Sequence, residues 1–251
     1  MNLPNSKRQT GANGSYRTLP RIIYQALNLL RCKYEARKIL RTIDLDQFEL
    51  IQKRYWSASP DPGYSKYLNI RVWIEKCVDY YYRLELHRSG PVNILDIGTG
   101  CGYFPYVCDY YGHRTMAIDM DDVPMYTEIT EFLRIDRRIW EVKAYEHLPD
   151  FGKKFNLITA FLVCFNNHDG PHVWGSNEWA FFMGDLARNQ LTEKGKVFFL
   201  LNAERDGRYY SENLLAFFKR HGANVIRDRI YFETMASFHE HVFPEIRETD
   251  E

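Results

Sequence analysis

The stretch NILDIGTGCGYF, Asn93 to Phe104, decides the fold. Ile94, Leu95 and Ile97 make a short buried strand that runs straight into Gly98, Gly100 and Gly102, and an apolar helical segment opens at Tyr103. Glycine is needed where a chain turns sharply at positive φ, or where a ligand must touch the main chain with no Cβ in between. At the carboxyl ends of parallel strands such a loop opens the crevice in which open α/β sheets bind ligands. The spacing is G-x-G-x-G, whereas a dinucleotide site requires G-x-G-x-x-G to seat a pyrophosphate on the helix N-terminus. A ligand without phosphates relaxes that demand. The next strand ends in Ala117-Ile118-Asp119, which sets a carboxylate about twenty residues beyond the glycines, placed to accept hydrogen bonds from both hydroxyls of a ribose. Asp121 and Asp122 compete for that role.

Working outward, strands and helices alternate, as in a parallel sheet covered on both faces. The pattern predicts strands over Asn93–Ile97, Thr115–Asp119, Ile139–Ala144, Phe155–Phe161 and Lys196–Asn202. Helices are expected near Tyr103–Tyr111, Met125–Leu133, Glu178–Gln190 and Glu212–His221. Asn224–Thr234 supplies at least one further strand and Ser237–Phe243 another. Upstream, Tyr67 to Leu86 reads as a long helix with Leu68, Val72, Trp73, Cys77 and Tyr80 on one side, stopped by Ser89-Gly90-Pro91. The segment Ser57–Gly63 (SASPDPG) breaks the chain before it. Leu19 to Leu40 has helical spacing, with Ile22, Ile23, Ala26, Leu27 and Leu30 as one stripe, continued by Tyr34 and by Ala36 to Leu40. Arg21, Arg31, Lys33, Arg37, Lys38 and Arg41 share that helix with a single acid, Glu35. Such a helix either packs on the domain with its charges in water, the expected case, or makes peripheral contact with an anionic membrane. Residues 1–15 read as a polar, disordered leader. The chain divides into an N-terminal leader and basic helical extension, 1–56, and a ligand-binding core, 57–251.

Asp96, Gly98, Gly100 and Gly102 match every position of acidic-x-G-x-G-x-G, and here the chain resembles the class I S-adenosylmethionine-dependent methyltransferase superfamily. The resemblance runs from about Tyr67 to Thr234. It implies an α/β fold with a doubly wound, mostly parallel, seven-stranded-type sheet, a Rossmann-like methyltransferase core, here carrying an N-terminal helical extension. It further implies S-adenosylmethionine as cofactor. The loop through Gly98, Thr99, Gly100 and Gly102 would cradle its methionine part, Asp96 would hold the amino group, and Asp119 with Met120 would take the ribose. Tyr145 and Glu146, in Tyr145-Glu146-His147-Leu148-Pro149, would lie beside the adenine. Ala144 stands where the family often has an acid, and Asn156 where it usually has aspartate in the fourth strand.

Methyl transfer needs an aligned acceptor and, for a hydroxyl or ammonium, a group that removes a proton. The segment Cys164-Phe165-Asn166-Asn167-His168-Asp169 follows the fourth strand. His168 is the candidate general base, and Asn166 or Asn167 would orient the acceptor. The same residues are also ordinary turn formers. Gly170 and Pro171 interrupt the spacing of His168, Asp169 and His172, so no metal site is expected. Trp174 is a candidate pocket wall, and Trp179 a packing residue.

Lys+Arg and Asp+Glu balance at 33 each, so no global field attracts nucleic acid. The five cysteines form no C-x-x-C pair, which fits reduced thiols in the cytoplasm. The reading is methyl transfer to a small-molecule acceptor. A non-catalytic S-adenosylmethionine-binding protein and a nicotinamide-dependent oxidoreductase are the rivals.

Overall fold

A computed structural model describes residues 21–58 and 62–239. The expected leader, part of the Ser57–Gly63 break and the end of Ser237–Phe243 lie outside the described residues.

The elements follow in the order α1 (Arg21–Leu40), α2 (Leu45–Ala58), α3 (Pro62–Ser65), α4 (Ile70–Arg83), β1 (Asn93–Ile97), α5 (Tyr103–Tyr110), β2 (Arg114–Asp119), α6 (Pro124–Phe132) and β3 (Arg137–Ile139). The second half runs β4 (Phe155–Val163), α7 (Ser176–Asp185), β5 (Leu191–Leu201), α8 (Glu212–Arg220), β6 (Asn224–Ile226), β7 (Arg229–Phe232) and α9 (Ala236–His239). One seven-stranded sheet has the order β3-β2-β1-β4-β5-β7-β6. Strands β1 to β5 are mutually parallel, and β7 runs antiparallel to both its neighbours. Side chains alternate across the sheet with period two. Leu95 and Ile97 of β1 therefore join the core under α7 and α8, and Ile94 joins the core under α4 and α5.

Capping residues fix where several helices begin. The Asp44 carboxylate accepts from the Gln47 amide at 2.9 Å, Asn69 from Val72 at 3.3 Å, and Ser211 from Leu214 at 3.2 Å. Asn69 explains why the expected helix Tyr67–Leu86 starts at Ile70, after a separate turn at Lys66–Leu68. Its buried face is Ile70, Ile74, Cys77, Val78 and Tyr81, while Val72, expected inside, is exposed.

Four further expectations are corrected. The stripe on α1 faces outward: Ile23, Leu27, Leu30 and Tyr34 are 44–64% exposed. The opposite face, Cys32, Ala36 and Ile39, has small residues that allow close approach to α4, and it is the face that packs. The third strand is Arg137–Ile139 and not Ile139–Ala144, because β2 pairs with Arg137 and Arg138 and the chain then leaves the sheet. Residues Ser57–Ala58 and Pro62–Gly63, expected to be non-helical, close α2 and open α3. Ala236–His239 is a helical turn where a strand was expected.

Candidate active site

Asp96 lies one residue before the end of β1 and is 2% exposed. Its Oδ1 accepts from Thr159 Oγ1 at 2.6 Å, and its Oδ2 accepts from Thr99 Oγ1 at 2.7 Å. Burial outweighs these two donors and pushes the carboxyl pKa up to about 7. Each oxygen takes one hydroxyl and retains a second lone pair.

Gly98, Gly100 and Gly102 all have positive φ, between 55° and 71°, but they serve different ends. A Cβ on Gly98 would meet nothing within 4 Å, and one on Gly100 only the edge of Tyr126 at 3.8 Å. Both residues line a cavity of about 1420 Å³. A Cβ on Gly102 would lie 2.8 Å from Ile135 Cγ1. The first two glycines therefore keep main chain open to the cavity, and the third lets α5 pack closely.

Asp119 ends β2 beside this loop. Its Oδ2 accepts from the Gly100 amide at 2.5 Å and its Oδ1 from the Met120 amide at 2.8 Å. Burial raises its pKa against the opposing effect of those bonds. Geometry separates Asp121 from the other two acids. Asp121 accepts from Thr127 Oγ1 at 2.5 Å and lies 3.7 Å from Arg137, outside the cavity lining, whereas Asp119 and Asp122 line it.

The cavity brings together Asp96, Gly98, Thr99, Gly100, Asp119, Met120 and Asn167 from the expected set. It does not include Gly102, Tyr145, Glu146, Asn166 or His168. Tyr145 and His147 hold the loop onto α7: the Tyr145 hydroxyl donates to Glu178 Oε1 at 2.5 Å, and His147 Nδ1 lies 2.7 Å from Asp185 Oδ1. Asp185 is fully buried and also accepts from the Leu148 amide at 2.9 Å. That clamp leaves Trp140 to Ala144, one turn earlier, as the cavity wall. His168 is 9% exposed, with Nε2 3.1 Å from Asp169 Oδ2. Asn167 adopts φ 57° and donates to the His172 carbonyl at 3.0 Å. Trp174 is buried among Phe165, Trp179 and Phe182.

Three tyrosines, Tyr64, Tyr67 and Tyr126, line the cavity together. Tyr67 stacks on Trp73 at 4.8 Å and meets Tyr126 edge-on at 5.7 Å, and Tyr64 meets Tyr126 at 5.9 Å. Burial raises the Tyr67 pKa to about 12, so the hydroxyl stays a donor throughout the physiological range.

No protein-family model and no curated protein matches the chain. Among solved structures, it is similar to an amino pentose methyltransferase from Micromonospora echinaspora involved in calicheamicin biosynthesis, solved with S-adenosylmethionine. Identity there is 13%, over 62% of this chain and 58% of that one, with a TM-score of 0.40. A ribosomal protein methylase from Lactobacillus delbrueckii subsp. bulgaricus aligns at 17% identity over 62% and 77%, with a TM-score of 0.40. An S-adenosylmethionine-dependent methyltransferase from Clostridium acetobutylicum aligns at 21% over 62% and 56%, with a TM-score of 0.35. The chain spans less than two thirds of the length of the first and third of these. Its strand order, with one reversed strand between β5 and β6, makes a doubly wound, Rossmann-like α/β fold.

Proposed function

We propose that this chain transfers a methyl group from S-adenosylmethionine to a small-molecule acceptor. One observation carries the reading: main chain at Gly98 and Gly100 lies open to a large cavity, with the Asp119 carboxylate held at its edge by the Gly100 amide. A cradle of this kind accepts an uncharged or cationic ligand at close range, and its spacing lacks the seat for a pyrophosphate. When bound, the cofactor supplies a sulfonium methyl already activated for in-line displacement. Asp96 offers its free lone pairs to the amino group, and Asp119 offers its own to the ribose. The wall from Trp140 to Ala144, with Met120, takes the adenine in place of Tyr145 and Glu146. Tyr64, Tyr67 and Tyr126 exclude water at the rim.

Titration calorimetry with S-adenosylhomocysteine and with NAD tests this reading. Saturable binding of the first alone is expected, and binding of NAD alone would overturn the proposal. Incubation with labelled S-adenosylmethionine and cell extract then separates an enzyme from a silent binder. His168 does not line the cavity, so His168→Ala is expected to leave labelling intact. A loss of roughly 100-fold, the least a general base contributes, would return it to the mechanism.

The outward stripe of α1 favours one further partner for the same molecule. Ile23, Leu27, Leu30 and Tyr34 lie on one face, and Arg31, Lys33 and Arg37 are exposed on the same helix. That combination fits the surface of an anionic bilayer, although no described helix is long and apolar enough to cross one. Vesicles containing phosphatidylserine are expected to sediment the protein at low salt and release it at high salt. Absence of sedimentation at low salt would exclude this contact.

A further inference from the structure

Past the glycine loop the cavity continues along the end of β4 toward α4, and there its wall changes character. Phe161 stands between Tyr80 and Phe104, with ring centroids 4.7 Å from each. Leu200 of β5 lies alongside, 6% exposed, and also lines the cavity. Residues 161–165 contain no charged side chain and all five line the cavity.

Cys164 and Phe165 lie beyond the end of β4, but Phe161, Leu162 and Val163 are its last three residues, and in a regular strand consecutive side chains alternate between two faces. The backbone explains how all three line the cavity. The register between β4 and β5 shifts between Phe161 and Val163, and Leu162 sits at φ 56°. Leucine is unfavourable in that region, so such a residue persists only where its surroundings hold it. Asn202 Nδ2 donates to the Leu162 carbonyl at 3.0 Å, and Cys164 Sγ donates to the same oxygen at 3.3 Å. The clamped bulge re-aims the end of the strand, and it brings Leu162 into the same wall as Phe161. The cavity is also larger than the ~300–1,000 Å³ usual for a single small ligand, which leaves room beside the cofactor half.

We infer that this wall receives a flat, apolar, aromatic body on the methyl acceptor. As an assignment of the acceptor this rests on the methyltransferase reading, but the wall's preference for apolar ligands does not. Aromatic rings meet one another edge-on or offset, as Tyr80, Phe161 and Phe104 already do, and a ligand ring extends that set. A hydroxyl or charge laid against Phe161, Leu162 and Leu200 would find no partner on those side chains; the polar groups on this side of the cavity, Glu75, Lys76, Asp79 and Arg83, belong to α4.

The test uses the full chain, with 2-naphthol as aromatic probe and glucose as polar control, both by calorimetry. Naphthol is expected to bind at least roughly tenfold tighter than glucose, and to bind equally well with S-adenosylhomocysteine saturating. Leu162→Asn places an amide in the wall with a residue that accepts positive φ. It is expected to weaken naphthol roughly tenfold and leave S-adenosylhomocysteine affinity unchanged. Phe161→Leu, which keeps the site apolar, is expected to weaken naphthol less, and thermal melts report whether either variant folds. Naphthol no tighter than glucose, or displaced by S-adenosylhomocysteine, overturns the inference while leaving the methyltransferase reading in place. Naphthol binding that is sensitive to Leu162→Asn in a protein with no affinity for S-adenosylhomocysteine would support the apolar wall and sink the methyltransferase reading.

Discussion

Asp119→Ala is expected to lower affinity for S-adenosylhomocysteine at least tenfold while the protein stays folded. Two losses combine in this variant. Hydrogen bonds to an ionised group are worth about 1.5–3 kcal/mol each, and the ribose loses both of its acceptors. The carboxylate also holds the Gly100 and Met120 amides at 2.5 and 2.8 Å, so its removal frees the loop that frames the cavity. The second loss acts on any ligand of the loop and the first only on one with a ribose. Methionine amide, which lacks the nucleoside, therefore separates them as a competitor. Asp121→Ala is the control, because that side chain is committed to Thr127 and Arg137 and does not line the cavity. Calorimetry on the two variants decides between them. Loss of binding in Asp121→Ala with none in Asp119→Ala would mean that the ligand is not held as proposed.

The glycine loop and its neighbouring acid were legible because each is forced by local chemistry. Only glycine sits comfortably at φ 55–71° against an open cavity, and only a buried apolar run makes a central strand such as Asn93–Ile97. Strand β3 was misplaced for the opposite reason. Arg137 and Arg138 sit on the sheet edge, where pairing and not burial defines the strand, so no hydrophobic pattern marks it. The run Trp140–Ala144 looked like the strand because it is half apolar, yet that character serves the cavity wall.

Helix α1 shows a different limit. It has two apolar faces about half a turn apart, and spacing identifies both without saying which one packs. Size decides it: Cys32 and Ala36 admit a neighbouring helix, and Leu27 and Leu30 do not. Helix α2 went unread although Asp44 caps it and Leu45, Phe48 and Ile51 recur at helical spacing. For the site, the position of Tyr145 and Glu146 outside the cavity lining has one cause. The buried Asp185 carboxylate draws His147 and the Leu148 amide onto α7, a long-range contact with no sequence signature. The bulge at Leu162 is equally silent, because it depends on Asn202, forty residues away, reaching the Leu162 carbonyl.

Asp96→Asn is expected to change how stability depends on pH. The carboxyl pKa is about 7 in the folded protein and near 3.8 when free, so between these values the folded state holds a proton that the unfolded state has released. Stability from this group is thus complete below about pH 4 and is lost as pH rises through 7. Three units correspond to about 4 kcal/mol at most, since burial is the main cause and some water will relax the charged form. Asparagine keeps the shape and removes the charge, so urea melts of the two proteins are expected to diverge as pH rises from 5 to 8, with the variant the more stable at pH 8. Asp109, Asp119 and Glu204 are also raised, but both proteins carry them and the difference isolates Asp96. Binding follows the opposite sign. A ligand ammonium beside Asp96 favours its charged form, so wild-type binding near pH 6 is expected to release a proton. Calorimetry in two buffers of different ionisation enthalpy counts that proton. Affinity would then rise with pH up to 7 in the wild type and stay flat, and lower, in Asp96→Asn. Equal stability differences at pH 5 and 8, with no proton released on binding, would show that Asp96 is already ionised in the folded protein and would overturn its raised pKa.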